Sequence, residues 1–324
     1  MKSPLLSAFW GQTVSVSAYI LLPDSYYKEP QKRYPVFYWI QGFGGTGQLD
    51  YATEADWQRP MRRLHREFII VFLDGMFNEG HQEFADSANN GPWGAALTTE
   101  FIPTTEAYFR AIGDAKDRFV GGHSSGGWSA LWLQVKYPDM FGAEWSISPD
   151  PVDFHDFLGP DITRTPSQNF FVDAAGHDYE LDGQSLRHFV TGPGWEKKQY
   201  ESFDAVFSPR GQDGKPLPLF NRSTGVIDPA VAQYWEDHYD IAQILRSNWS
   251  DLEPKLRGKL HIIVGTGDQF HLNRPVVLLQ KELVGLGSDA EFDFAPGANH
   301  FTVFDWNGGA IDYIVKSAAA MATP

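Results

Sequence analysis

Apolar residues along this chain follow two different periods. From Thr13 the run TVSVSAYILL alternates apolar and polar positions, as in a strand with one buried face. YPVFYWI at 34–40 and FIIVFLD at 68–74 are instead continuously apolar, as in strands covered on both faces of a parallel sheet. Helical patterns occupy 54–66, 98–112, 274–286 and 309–320, and RFVGG, AEWSIS, KLHIIVG and AEFDFA read as further strands. After RFVGG, residues Trp128, Leu131, Trp132 and Val135 recur at three- and four-residue spacings, predicting a helix that Pro138 ends. Such alternation predicts the α/β class, a mostly parallel sheet with helices on both faces.

One segment breaks the rhythm. About 110 residues, 149–258, separate two consecutive strands, whereas a parallel crossover needs about a dozen. The segment carries loops rich in Gly, Pro and Asp and one helical pattern near 229–247. Because it leaves the carboxyl end of a strand, it is expected over the ligand-binding edge of the sheet. The chain therefore divides into a core, 1–148 with 259–324, and an insertion, 149–258, that is a candidate lid or substrate-binding cap; a surface excursion without function is the alternative. Trp195 and Tyr200 are its candidate substrate-sensing aromatics, chosen because they stand in an otherwise polar stretch.

The chemistry is suggested by GGHSSGG, residues 121–127. Only Ser124 is centred in a G-x-S-x-G frame, since a frame on Ser125 requires glycine where His123 stands. A serine needs exposure and an adjacent base to become a nucleophile, and a strained strand-to-helix turn supplies the exposure. In sheets that carry such an elbow, acid and base follow the serine on loops after late strands. Asp268 in HIIVGTGDQFHL and His300 in EFDFAPGANHF occupy those places. His300 would act as general base and Asp268 would orient its ring.

Other assignments compete. His271 reads as a surface or helix-capping residue, and His123 as a packing residue beside the nucleophile. Asp150 and Asp153 follow the strand after the elbow, from which an acid can also reach the histidine; solvated or helix-capping loop carboxylates are the favoured reading. With His155 and Asp156 they match no calcium-loop or zinc spacing, so no metal is expected. An oxyanion hole needs two backbone N–H groups, here those of Ser125 and, in YWIQGFGGTG, of Phe43 with Gly44 as second choice. Ser125 would thus matter through its backbone.

Composition narrows the substrate. The chain has 324 residues, 42% hydrophobic and 15% aromatic, ample for a large core. It has no cysteine, which excludes disulfides, thiolate metal sites and a cysteine nucleophile. A formal charge of -15 argues against nucleic acid and anionic membrane surfaces as partners and favours a neutral or apolar substrate. The N-terminal stretch is too polar for a membrane span or signal peptide, so the expectation is a soluble chain, cytoplasmic or the mature form of a secreted protein. Oligomeric state cannot be read from the sequence.

YPVFYWIQGFGG and RFVGGHSSGGWSALWLQVKYPDMFGAEWSIS resemble the putative-esterase family of α/β hydrolases, which includes esterase D-like enzymes, feruloyl esterase domains and mycolyltransferases. The resemblance covers roughly 10–148 and 259–320 and not the insertion. It implies the α/β-hydrolase fold, a triad of Ser124, Asp268 and His300, oxyanion donors at Phe43 and Ser125, and no cofactor. Gln41 stands where the family usually has histidine, which bears on the oxyanion loop. The expected activity is that of a serine carboxylesterase acting on a small-molecule or carbohydrate-linked ester. Gln41, Phe43, Trp93 and Trp128 are candidate substrate contacts, with core packing the alternative for the two tryptophans. Acyl transfer to a sugar or alcohol by the same residues, and a catalytically silent binding module, remain the other readings.

Overall fold

The computed structural model describes residues 1–45, 54–164 and 169–323, without the side chains of 195–197. The end of the glycine loop beyond residue 45 and the Trp195 side chain therefore lie outside the described residues.

Seven strands form the central sheet: β1 (Ala18–Leu21), β2 (Val36–Ile40), β3 (Ile69–Leu73), β4 (Arg118–His123), β5 (Ala143–Ile147), β6 (Leu260–Gly265) and β7 (Glu291–Ala295). Their spatial order is β7-β6-β5-β4-β2-β3-β1. All neighbours are parallel except the edge pair of β1 with β3. Every residue of β2, β3, β4, β5 and β6 is buried, and β2 and β3 accordingly read as unbroken apolar runs. From β2 the chain winds outward to β3, and from β4 it winds the other way to β7. That reversal leaves a crevice at the carboxyl ends of β2 and β4, the place where such sheets bind ligands.

Helices cover both faces. On one, α1 (Glu54–Leu64) and α9 (Ala310–Met321) pack Trp57, Ile311 and Ile314 against Phe37, Trp39 and Trp145 of the sheet. On the other lie α2 (Ile102–Tyr108) and α3 (Ser125–Lys136). The forked ion pair of Arg118 with Glu106, at 2.6 and 2.7 Å, ties α2 to the start of β4.

Two element boundaries differ from the sequence expectation. The strand expected through TVSVSAYILL is split into Val14–Ser15, paired with Lys2–Ser3, and β1. The helix expected at 98–112 begins earlier, as Trp93–Ala96, and runs through a π-turn, Leu97–Phe101, before α2. Pro103 explains the irregularity, because it has no N–H to donate to the preceding turn.

The 149–258 segment is more helical than its sequence suggested. It holds α4 (Leu186–Thr191), α5 (Trp195–Phe207), α6 (Pro229–Tyr239) and α7 (Ile241–Leu256). The single helix expected near 229–247 is two. Asp240 breaks it with extended backbone, φ −69° and ψ 107°, and its carboxylate caps α7 by accepting from Gln243 N. Asp228 and Pro229 start α6 in the same way. Helix α7 packs on α3 and on α8 (Asn273–Gly285), so it is the crossover helix between β5 and β6. Among the described residues the segment has no separate core: Phe154, Phe203 and Trp235 join Trp128 and Trp132 of α3 and Ile262 of β6 in one apolar cluster. Among the described residues no helix is long and apolar enough to cross a membrane.

Candidate active site

Ser124 sits between β4 and α3 with φ 59° and ψ −124°, a conformation costly for any residue with a side chain, by about 1–3 kcal/mol. The surrounding glycines are dictated by crowding. A Cβ on Gly122 would lie 2.2 Å from the Gly126 carbonyl oxygen, and one on Gly126 would lie 2.1 Å from that of Ile40. Strand, turn, helix and the end of β2 therefore meet backbone to backbone, and G-x-S-x-G is the spacing that permits it. Three main-chain bonds hold the turn: Ser124 N to Ile147 O at 2.9 Å, Trp128 N to Ser124 O at 3.0 Å, and Asp150 N to Ser124 O at 3.2 Å.

His300 and Asp268 follow β7 and β6 and are both buried. His300 Nδ1 and Asp268 Oδ2 are 2.9 Å apart. A carboxylate oxygen accepts in this bond, so Nδ1 is the donor, and in the tautomer this fixes Nε2 is the acceptor. Asp268 Oδ1 accepts from Phe270 N at 2.9 Å, and His300 N donates to Gln269 Oε1 at 3.0 Å. His123 packs its ring 4.4 Å from that of His300 and donates from Nε2 to the His300 carbonyl at 2.9 Å. Burial, and then the neighbouring His300, push its pKa well below the ordinary value, so it stays neutral. It is a packing residue, as its position suggested, that also holds the loop of the second histidine.

Ser124 and His300 line one cavity of about 470 Å³. Gly42, Phe43 and Gly44 contribute another part of its wall, and Leu158, Leu181, Phe189, Gln199 and Tyr200 bring the 149–258 segment to it. A Cβ on Gly42 would touch Ser124 Cβ at 3.0 Å, so the glycine lets the loop after β2 close on the elbow. The Gly44 amide donates to Met76 Sδ at 3.1 Å, which engages the second-choice oxyanion donor. Ser125 is the first residue of α3, where a backbone N–H is not used by the helix ladder and points out of its positive end.

Three candidate substrate contacts lie elsewhere. Trp93 is buried against Phe77 and Phe84 with its indole N–H on Asn90 O at 3.0 Å, and Trp128 stacks on Trp132 and packs on Phe207. Both belong to the core, because the faces of their elements turn away from the crevice. Gln41 is buried under the glycine loop, its Oε1 accepting from Trp39 Nε1 at 3.3 Å. Phe43 does line the cavity.

Asp150 departs furthest from expectation. It is not a solvated loop carboxylate: it is 3% exposed, lines the cavity, and accepts from Ser125 Oγ at 2.5 Å. Its bonds go to Ser125 and Gln199, whereas His300 is served by Asp268. Burial, reinforced by the Glu83 carboxylate, pushes its pKa up to about 7 against the pull of Ser125, His81 and Gln199. The Ser125 side chain is thus engaged in the cavity wall, which its reading as a backbone contributor alone did not include. Glu83 and His81, fully buried beneath this corner, had no signal in the sequence. His81 Nε2 donates to Gln41 O at 3.0 Å and Glu83 accepts from Ser129 Oγ at 2.9 Å. Burial alone would lower the His81 pKa; the Glu83 charge, joined by Asp150, overrides it and leaves the value raised.

Asp153 caps a short 3-10 turn by accepting from His155 N at 3.0 Å, the capping role expected of it. With His155 and Asp240 it forms a group of metal-ligand type. Its members are already committed: His155 Nδ1 pairs with Asp153 at 2.7 Å, and the two Asp240 oxygens accept from Phe154 N and Gln243 N. The Asp153 hydrogen bond lifts the His155 pKa to about 9, so the imidazole is protonated at neutral pH. Asp156 pairs with Arg274 at 2.8 Å. His271 is half-buried in the loop after Asp268, its N–H donating to Asp268 O at 3.0 Å.

Known proteins resemble the chain at two levels. Esterase Rv1288 of Mycobacterium tuberculosis is 34% identical over 144 residues, 43% of this chain, and the match spans only 29% of that relative's length. Among solved structures, a ferulic acid esterase superposes with a TM-score of 0.60 at 16% identity, over 99% of this chain and 95% of its own. An S-formylglutathione hydrolase from Agrobacterium tumefaciens gives 0.58 at 15% identity, over 100% and 94%. These superpositions establish the α/β-hydrolase fold that the sheet order indicates. With the elbow, the glycine loop and the late acid and histidine all in the places this fold provides, and with residues 13–281 matching the sequence profile described as putative esterase, the chain belongs to the putative esterase family.

Proposed function

We propose that the protein is a serine carboxylesterase working through an acyl-enzyme on Ser124. One observation carries the reading: a strained serine and a histidine held by a buried carboxylate line the same cavity, beside a glycine loop. Ser124 Oγ attacks the ester carbonyl while His300 Nε2 takes its proton, forming a tetrahedral oxyanion that the Phe43 and Ser125 amides receive. The C–O bond to the alcohol then breaks, and His300 returns the proton to the departing oxygen. Water, deprotonated by His300, repeats the attack on the acyl-enzyme and frees Ser124. Asp268 holds the ring in the productive tautomer and stabilises the imidazolium.

The 149–258 segment acts as the substrate-binding cap in this reading, which the lining by Leu158, Leu181, Phe189 and Tyr200 supports. A cavity of this size with a largely apolar wall suits a bulky neutral ester. Treatment with a fluorophosphonate and peptide mass spectrometry tests the nucleophile: a single adduct on Ser124, with parallel loss of p-nitrophenyl acetate hydrolysis, is expected. Labelling elsewhere, or full activity of the labelled protein, sinks the assignment. Phe189→Ala tests the cap, since it should shift the ratio of octanoyl to acetyl ester turnover. An unchanged ratio in the folded variant removes the cap role.

A further inference from the structure

Part of the cavity wall is polar, and ester cleavage makes no use of it. Asp150, Gln199 and Tyr200 all line the cavity. The Oδ2 atom of Asp150 takes the Ser125 hydroxyl at 2.5 Å and the Gln199 amide at 3.5 Å, while Oδ1 accepts no hydrogen bond among the described residues. Tyr200 is 5% exposed, and its hydroxyl is buried with no partner among the described residues. The two side chains are neighbours: burial raises the Tyr200 phenol, Arg222 opposes this, and the Asp150 charge adds to it. A buried hydroxyl left unpaired, as that of Tyr200 is, is unfavourable unless a ligand satisfies it. Around them the wall is apolar, with Leu158, Phe189 and Leu272.

We propose that Asp150, Gln199 and Tyr200 form a hydroxyl-recognising subsite that selects esters whose larger group carries a free hydroxyl at the end of an apolar body. A hydroxyl both donates and accepts, so one group can donate to Asp150 Oδ1 and accept from Tyr200 or Gln199. A carboxylate would be repelled by Asp150 and by the buried Glu83 behind it, and an ammonium would face the Arg222 charge that reaches Tyr200. The hydroxyl belongs either to an aryl acyl group or to a polyol alcohol. This inference rests on the esterase reading above.

Two sets of esters separate these sources. Methyl 4-hydroxyphenylacetate, phenylacetate and 4-methoxyphenylacetate probe the acyl side; glyceryl butyrate, propyl butyrate and the O-methylated glyceryl ester probe the alcohol side. In the unaltered protein the hydroxylated member of one set should exceed both of its counterparts in kcat/KM by about tenfold or more, the worth of one well-placed hydrogen bond in a buried site. Tyr200→Phe and Gln199→Leu, shown to be folded by circular dichroism, should each pull that ratio toward one. Equal turnover of hydroxylated and methoxylated esters in both sets overturns the subsite without recourse to any variant. So does a ratio that neither folded variant moves, or a preference for an aminoethyl over a hydroxyethyl ester. Failure to hydrolyse any of these esters or p-nitrophenyl acetate rejects the esterase reading instead.

Discussion

Asp150 makes the folded protein sensitive to pH in a direction opposite to that of an ordinary paired carboxylate. Its pKa rises from 3.8 to about 7 on folding, chiefly through burial and then through Glu83. Between those two values the unfolded chain has released the proton while the folded one retains it. Stability therefore falls as pH rises through this window and levels off above it. Converted by linkage, the cost to the folded state is about 2 kcal/mol at pH 5 and about 4 kcal/mol at pH 8. Asp150→Asn removes the ionisation and keeps an oxygen for the 2.5 Å bond from Ser125. The variant should consequently gain stability over the parent, and that gain should grow by about 2–3 kcal/mol between pH 5 and pH 8. Asp204 near 6 and Asp240 near 7 are present in both proteins and cancel in the difference, and His81, which Asp150 helps to raise, keeps its larger partner Glu83 in the variant. Equilibrium urea unfolding at the two pH values measures it. A difference that is flat, or that shrinks with pH, would show that Asp150 is ionised in the folded protein at pH 5 and refute the reasoning.

Four further outcomes follow from the geometry. Ser124→Ala should lower ester turnover by about 10³ or more, whereas Ser125→Ala, which keeps its amide, should cost at most about tenfold; the reverse order in a p-nitrophenyl acetate assay contradicts the elbow. Asp268→Asn should stay folded yet lose up to about 10⁴ in kcat through the wrong His300 tautomer, and parent-like kcat would transfer the acid role elsewhere. Gly126→Ala forces a methyl group toward the Ile40 carbonyl, which it would approach to 2.1 Å. It should therefore lower the urea-unfolding stability by about 3 kcal/mol, and an unchanged midpoint would be inconsistent with the close packing of β2, β4 and α3. Arg118→Met leaves Glu106 buried without its forked partner and should cost about 3–5 kcal/mol in the same assay; a neutral effect would contradict a structural role for the forked ion pair.

The chain's own pattern was enough to indicate the sheet, the turn that carries Ser124, and the late loops that carry Asp268 and His300. Continuous apolar runs mark buried parallel strands, and a glycine-flanked serine between strand and helix marks the turn, because both follow from local geometry. The pairing of His300 with Asp268 at 2.9 Å depends only on two loops at the ends of adjacent strands, so it too was legible from their order. Helix α5 was not, since its buried face of Tyr200, Phe203, Val206 and Phe207 is interleaved with Glu, Lys, Gln and Asp and reads as polar. Nor were the fates of Trp93 and Trp128, which a sequence places near the site but packing turns into the core. Asp150 is the sharpest case. Its neighbours Ser125, Gln199 and the His81–Glu83 pair come from three separate stretches of chain. A carboxyl's burial and pKa are properties of everything packed around it in space, so only the tertiary structure decided that this aspartate sits in the cavity wall and not in water.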